Sequence, residues 1–137
     1  QDARIAPLLS EKAKQRLSAD SWEPQVDLAC YERTKKSFAQ IMRRVPILAG
    51  TDTPNDTTTF GASLHEELEL LVDAGLTPEE ALASATSVPA GIFHLADRGT
   101  IAKGSRADFV LVTGDPASDI RETRSVERVY KGGMRSR

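Results

Sequence analysis

The chain has 137 residues, enough for one domain with a moderate core, and its 39% hydrophobic and 28% charged content is an ordinary globular balance. With 18 basic and 20 acidic residues the formal charge is −2, which gives no electrostatic case for nucleic acid or an anionic membrane. A single cysteine excludes an intramolecular disulfide, two histidines leave no Cys/His cluster for structural zinc, and no apolar run approaches the roughly 20 residues of a membrane span.

Residues 1–24 read as irregular, with a short helical piece around Glu11 to Leu17 and with Pro7 and Pro24 as punctuation. The opening Gln1-Asp2-Ala3-Arg4 carries no initiator methionine and no apolar signal region, as a processed or truncated product would. Localisation is therefore left open. From about Val26 to Arg44, Leu28, Tyr31, Phe38, Ile41 and Met42 approximate one helical face, and Arg43 and Arg44 in the final turn suit the helix dipole.

Residues 45–51 follow at once as a short apolar run, read as a parallel strand buried on both faces. The run ends abruptly in Asp52, and a long polar loop, Thr53 to Ala62, comes next. α/β enzymes gather their chemistry at the C-terminal edge of the sheet, so Asp52 is the leading candidate residue. Aspartate also commonly begins loops as a cap, and without its setting that reading would be preferred.

Ser63 is read as an N-cap, with Glu66 completing a capping box for a helix whose Leu64, Leu68, Leu71 and Val72 share a face. Gly75 sits where a C′ glycine belongs. Thr77-Pro78-Glu79-Glu80 opens another helix with its own box, and its small residues Ala81, Ala83, Ser84 and Ala85 suit close packing. Pro89 begins a further short helix, through about Leu95.

After Leu95 the texture becomes β-rich, which makes residue 96 the best domain boundary. Asp97-Arg98-Gly99 reads as a turn, Thr100-Ile101 as a short strand and Lys103-Gly104-Ser105 as another turn. Ala107 to Thr113 and Ser125 to Lys131 read as strands, the second turned by Gly132-Gly133. The basic tail residues Arg121, Arg124, Arg128, Lys131, Arg135 and Arg137 are interrupted by Glu122 and Glu127, and read as a solvated edge.

Several of these segments together resemble the C-terminal third of metal-dependent amidohydrolases, nearest the imidazolonepropionase-like and Xaa-Pro dipeptidase-like branch. The residues that carry the likeness are Ala49-Gly50-Thr51-Asp52, the run from Ser63 to Val72, Ala74 to Leu82, Ala85-Thr86 with Pro89-Ala90, and Asp97 to Leu111. It covers roughly residues 26 to 133. The fold it implies is α/β: the C-terminal fragment of a (β/α)8 barrel in residues 1–95, with 45–51 as its eighth strand, and part of a small β-sandwich in 96–137.

The resemblance implies that Asp52 is both a metal ligand and the acceptor of a proton from metal-bound water. A divalent cation lowers the pKa of bound water toward neutrality, and a nearby carboxylate can take its proton as hydroxide attacks a carbonyl carbon. The implied ion is zinc, one or two per complete enzyme. A barrel of this kind needs about 250 residues and a catalytic zinc about three protein ligands. The paired histidines of the first strand, the bridging lysine and the later-strand histidines have no counterpart here, so the chain alone is expected to hold no metal and to be inactive.

His65, one residue inside the helix after the loop, is a candidate substrate-binding or supporting residue, although a lone histidine is more often structural. His94 is read as a packing residue, Trp22 as a packing anchor, and Cys30 as lacking an activating base. Asp56 and the loop hydroxyls stand evenly between substrate contacts and a solvated connection. Gly99 and Gly104 lack the strand, loop and helix context of a phosphate cradle.

Two functions remain. One is a piece of a hydrolase that cleaves C–N bonds of amides, cyclic amides or dipeptides. The other is a non-catalytic packing or oligomerisation module with Asp52 as a cap. Unpaired strand edges and uncovered helix faces make self-association, or contact with the missing N-terminal part, the expected partnership.

Overall fold

The computed structural model describes residues 6–17, 28–55 and 58–136. Trp22, Val26 and Asp56 lie outside the described residues. Among the described residues five α-helices precede the sheet: α1 (Glu11–Leu17), α2 (Leu28–Ile41), α3 (Ala62–Asp73), α4 (Pro78–Ser84) and α5 (Ser87–Ile92). A small antiparallel sheet follows, in the order β1 (Phe109–Val112), β2 (Val126–Lys131) and β3 (Met134–Arg135). A 3-10 turn, Ile120–Arg124, lies between β1 and β2. The result is a mixed α/β arrangement, and none of the described helices is long and apolar enough to cross a membrane.

The core is built on α3. Leu68 and Leu71 recur three residues apart and are buried together with Ala81 of α4, which is 0% exposed, and Ile120 of the 3-10 turn. Phe38, Ile47, Ala49, Val72, Leu76, Leu82 and Ala85 pack around this cluster. Ala81 and Ser84 let α4 approach closely, and the Ser84 hydroxyl donates to the Ala81 carbonyl at 2.7 Å.

The helix ends follow local chemistry. At the end of α3, the amide of Gly75 donates to the Val72 carbonyl at 2.9 Å and that of Leu76 to Leu71 at 3.1 Å, a Schellman motif. The Thr77 side chain accepts from the Glu80 amide at 3.1 Å, and Glu80 accepts from the Thr77 amide at 2.8 Å, so the expected capping box forms.

The start of α3 differs from expectation. Gly61, at φ 79, is the N-cap, so the helix begins two residues earlier than a Ser63 cap would place it, at Ala62. Ser63 is already inside the first turn, and its hydroxyl accepts from the Thr59 amide at 2.9 Å instead of capping.

Residues 46–51 form no strand among the described residues, because no ladder partner lies beside them. Thr100-Ile101 is likewise not a strand, and Ile101 is 93% exposed. In α2 the face is only partly used: Phe38 reaches the core while Leu28 and Ile41 remain exposed. Arg43 and Arg44 fall in the turn beyond the helix.

In the sheet, Phe109 pairs with Tyr130 and their rings stack at 4.5 Å. Gly132 and Gly133, at φ 59 and 79, supply the two positive φ values of a type I′ turn, which returns the chain as β3.

Asp73, at the C-terminal end of α3, ties α2 in place. Its Oδ2 receives Lys35 Nζ at 2.6 Å and the Tyr31 hydroxyl at 2.9 Å. The Lys35 contact, then the Tyr31 hydroxyl, hold the Asp73 carboxyl below its ordinary range. The same bond raises Lys35 and Tyr31 above theirs.

Truncating Leu71→Ala should destabilise the chain by about 2–5 kcal/mol in urea unfolding, as for a buried leucine. A change within about 0.5 kcal/mol, the range of a surface substitution, would contradict the assigned core. The Asp73 contacts also make α2 docking depend on pH. A lowered carboxylate contributes stability above its unfolded pKa and loses it as pH falls through the folded value; raised Lys35 and Tyr31 lose theirs as pH rises through their folded values. Thermal melting followed by circular dichroism should therefore fall below about pH 4 and again above about pH 10. The Asp73→Asn variant should lose the part of the acid limb that this residue carries, and an unchanged acid limb would refute the assignment.

Candidate functional site

The segment 46–51 is clasped between two helices. The Ala49 amide donates to the Ser84 carbonyl at the end of α4, 3.0 Å away. The Gly50 amide donates to the Glu67 carboxylate of α3 at 3.2 Å. Ile47 and Ala49 are half-buried against the core, which fixes which side of the segment faces the helices.

Asp52 follows at φ 50, a left-handed conformation that aspartate tolerates better than a β-branched residue. Its side chain is exposed, and Oδ2 accepts from Asn55 Nδ2 at 2.8 Å. The hydroxyls of Thr51 and Thr53 meet at 2.7 Å. An exposed carboxylate with one oxygen engaged by an amide can act as a base or as one metal ligand.

His65 is half-buried on α3, with Nδ1 3.1 Å from the Thr123 hydroxyl. Thr123 donates its only hydroxyl proton to the Ile120 carbonyl at 2.8 Å, so it accepts from His65, and Nδ1 carries the hydrogen. One turn further along α3, Glu69 pairs with Arg124. Both ends of the pair are largely withdrawn from solvent, so Arg124 is not part of a solvated edge. Arg121 does remain outside, paired with Asp119 at 2.8 Å.

Asn55, Glu67, Thr123 and Arg124 were not singled out as site-forming residues by sequence reading. The Asn55 contact spans three residues and had a local signal in the loop composition. The other partners lie 17, 58 and 55 residues apart, where no periodicity reaches. His94 is exposed at φ 56 beside an open cleft lined by Ser87, Ala90, Leu95 and Arg98, and the Arg98 guanidinium is engaged by Asp97 at 2.8 Å. Cys30 is exposed on α2.

Among the described residues no group of three or more His, Cys, Asp or Glu side chains is placed to hold a metal ion. Asp52 offers one carboxylate and Asn55 one amide, short of the three protein ligands a catalytic zinc normally takes. These residues by themselves do not fit a complete metal centre.

Comparison with known proteins supplies the setting. The profile of the Amidohydrolase family matches residues 32–135. The adenine deaminase of Deinococcus deserti is 33% identical over 116 residues, which cover 82% of this chain and 21% of that protein. The imidazolonepropionase of the same organism is 34% identical over 93 residues, 65% of this chain and 23% of that protein. Among solved structures, phenylurea hydrolase B aligns over 93% of this chain and 31% of its own, with a TM-score of 0.63 and 26% identity. A Xaa-Pro dipeptidase with bound methionine shares the fold, with a TM-score of 0.67 at 24% identity over 92% of this chain and 32% of its own. The chain thus spans about a fifth of the length of these curated relatives. The matched segment takes in most of the sequence, and the chain belongs to the amidohydrolase family.

Proposed function

We propose that the chain is the C-terminal part of a metal-dependent hydrolase that cleaves C–N bonds in amides, cyclic amides or dipeptides. The observation that carries this reading is Asp52, an exposed carboxylate at the end of an apolar segment clasped by α3 and α4, in a chain of this family. Adenine deaminase and phenylurea hydrolase B are names of relatives that point to the breaking of C–N bonds, which supports the bond class.

On this reading residues 1–95 belong to a (β/α)8 barrel, with 45–51 as its last strand, and residues 96–137 belong to a small β-sandwich. Asp52 accepts the proton of the attacking water and returns it to the departing nitrogen. It also serves as one ligand of a divalent metal, zinc, whose chemistry when bound is to polarise and acidify water. The remaining ligands lie on polypeptide outside this chain, and the chain alone is inactive. His65, just after the loop that leaves Asp52, contacts substrate from the start of α3. Phe60, Ile101 and Met134 are strongly exposed, and among the described residues the outer edge of β1 has no partner strand. Both observations support contact with further polypeptide, either the N-terminal part of the same enzyme or a second copy.

A second reading has an observation of its own. Asn55 bound to Asp52 ties off the start of the loop, as a structural cap in a non-catalytic packing or oligomerisation module would. Asp52→Asn in the complete protein separates the two. As the proton acceptor, Asp52 gives a fall in kcat of about 10²–10⁴ with an unchanged melting temperature. Turnover within about twofold of wild type would leave only the structural role, since general-base catalysis is worth far more than that.

A further inference from the structure

We propose that Glu67 is a positioning residue for Asp52, a role that rests on reading Asp52 as the base. Among the described residues, the end of the segment that presents Asp52 is held by two hydrogen bonds to its main chain from the helices that follow. Ser84 holds the Ala49 amide with a main-chain carbonyl, and Glu67 holds the Gly50 amide with a side-chain carboxylate, two residues before Asp52.

The Glu67 anchor is itself well fixed. Its neighbour Leu68 is buried in the core, and the flanking positions on α3, His65 and Glu69, are bonded to Thr123 and Arg124 of the 3-10 turn. Glu67 therefore transmits the position of a held helix to the main chain that carries Asp52. Directly after Asp52 lies the loop, and its φ of 50 turns the chain away. Productive geometry tolerates only about 0.5 Å, so releasing Gly50 shifts the carboxylate out of line without touching substrate.

The test compares Glu67→Ala, Glu67→Gln and Asp52→Asn in the complete enzyme. Glu67→Ala should lower kcat about 10- to 100-fold with KM within about threefold, since misplacement by about 1 Å has that cost. Glu67→Gln keeps an acceptor oxygen and should stay within about threefold of wild type, well short of a lost hydrogen bond to a charged group. Adding Glu67→Ala to Asp52→Asn should change nothing further, because a positioning residue has nothing left to position.

If Asp52→Asn abolishes turnover while Glu67→Ala stays within about twofold, the positioning role is refuted and the base survives. If Asp52→Asn retains turnover, the base reading fails instead. A second measurement uses the 137-residue chain and needs no turnover. Amide exchange at Gly50, relative to Ala49 as an internal control, should be about fivefold faster in Glu67→Ala and unchanged in Glu67→Gln. Equal ratios in all three proteins would overturn the proposal. Should Glu67→Ala yield no folded enzyme, Glu67→Gln decides: activity near wild type supports the role, and a fall beyond about tenfold overturns it.

Discussion

The apolar face of α3, pressed against Ala81 and Ile120, is the contact on which the other features of this chain depend. Leu68 and Leu71 are buried by residues from α4 and from a 3-10 turn about fifty positions away in sequence, so one helix joins both halves of the chain. The polar sides of α3 then act as a distribution point. Asp73 holds α2, Glu67 holds the segment leading to Asp52, and His65 and Glu69 hold the 3-10 turn. Exposed ion pairs contribute little by themselves. The Glu69–Arg124 pair is different, because it is largely withdrawn from water and would be costly to break from one side.

Much of this arrangement is readable from local pattern. The Leu stripe of α3, the glycine that ends it and the capping box of α4 all rest on rules spanning no more than about four residues. β1 and β2 are legible for the same reason, since alternation and a Gly-Gly turn are local signals. The errors have physical causes as well. Ser63 looks like a cap, but Gly61 can enter the left-handed region and start the helix earlier. The apolar 45–51 run has the composition of a strand, and since pairing is a property of neighbours it forms no ladder where the described residues place none beside it.

What sequence reading misses is the set of long-range polar contacts. Thr123 and Arg124 sit in a stretch that reads as a basic edge, and only burial of Ile120 brings them onto α3. Nothing in the local composition marks Glu67 apart from its neighbours Glu66 and Glu69. Only the fold shows that its carboxylate meets a main-chain amide. Asp52 was visible because the change from apolar run to polar loop is itself a sequence feature, whereas its bond to Asn55 becomes plain in three dimensions.

Asp52 thus stands as a well-presented carboxylate without the companions that a metal centre needs among the described residues. The central claim is that the site is shared with polypeptide beyond these 137 residues. Calorimetric titration of the chain with zinc tests that claim most directly. The account predicts no stoichiometric complex tighter than about 100 µM, since a lone carboxylate lacks the usual ligand set. A one-to-one complex with submicromolar Kd, lost on Asp52→Asn substitution, would contradict it by showing that the chain holds a metal site of its own.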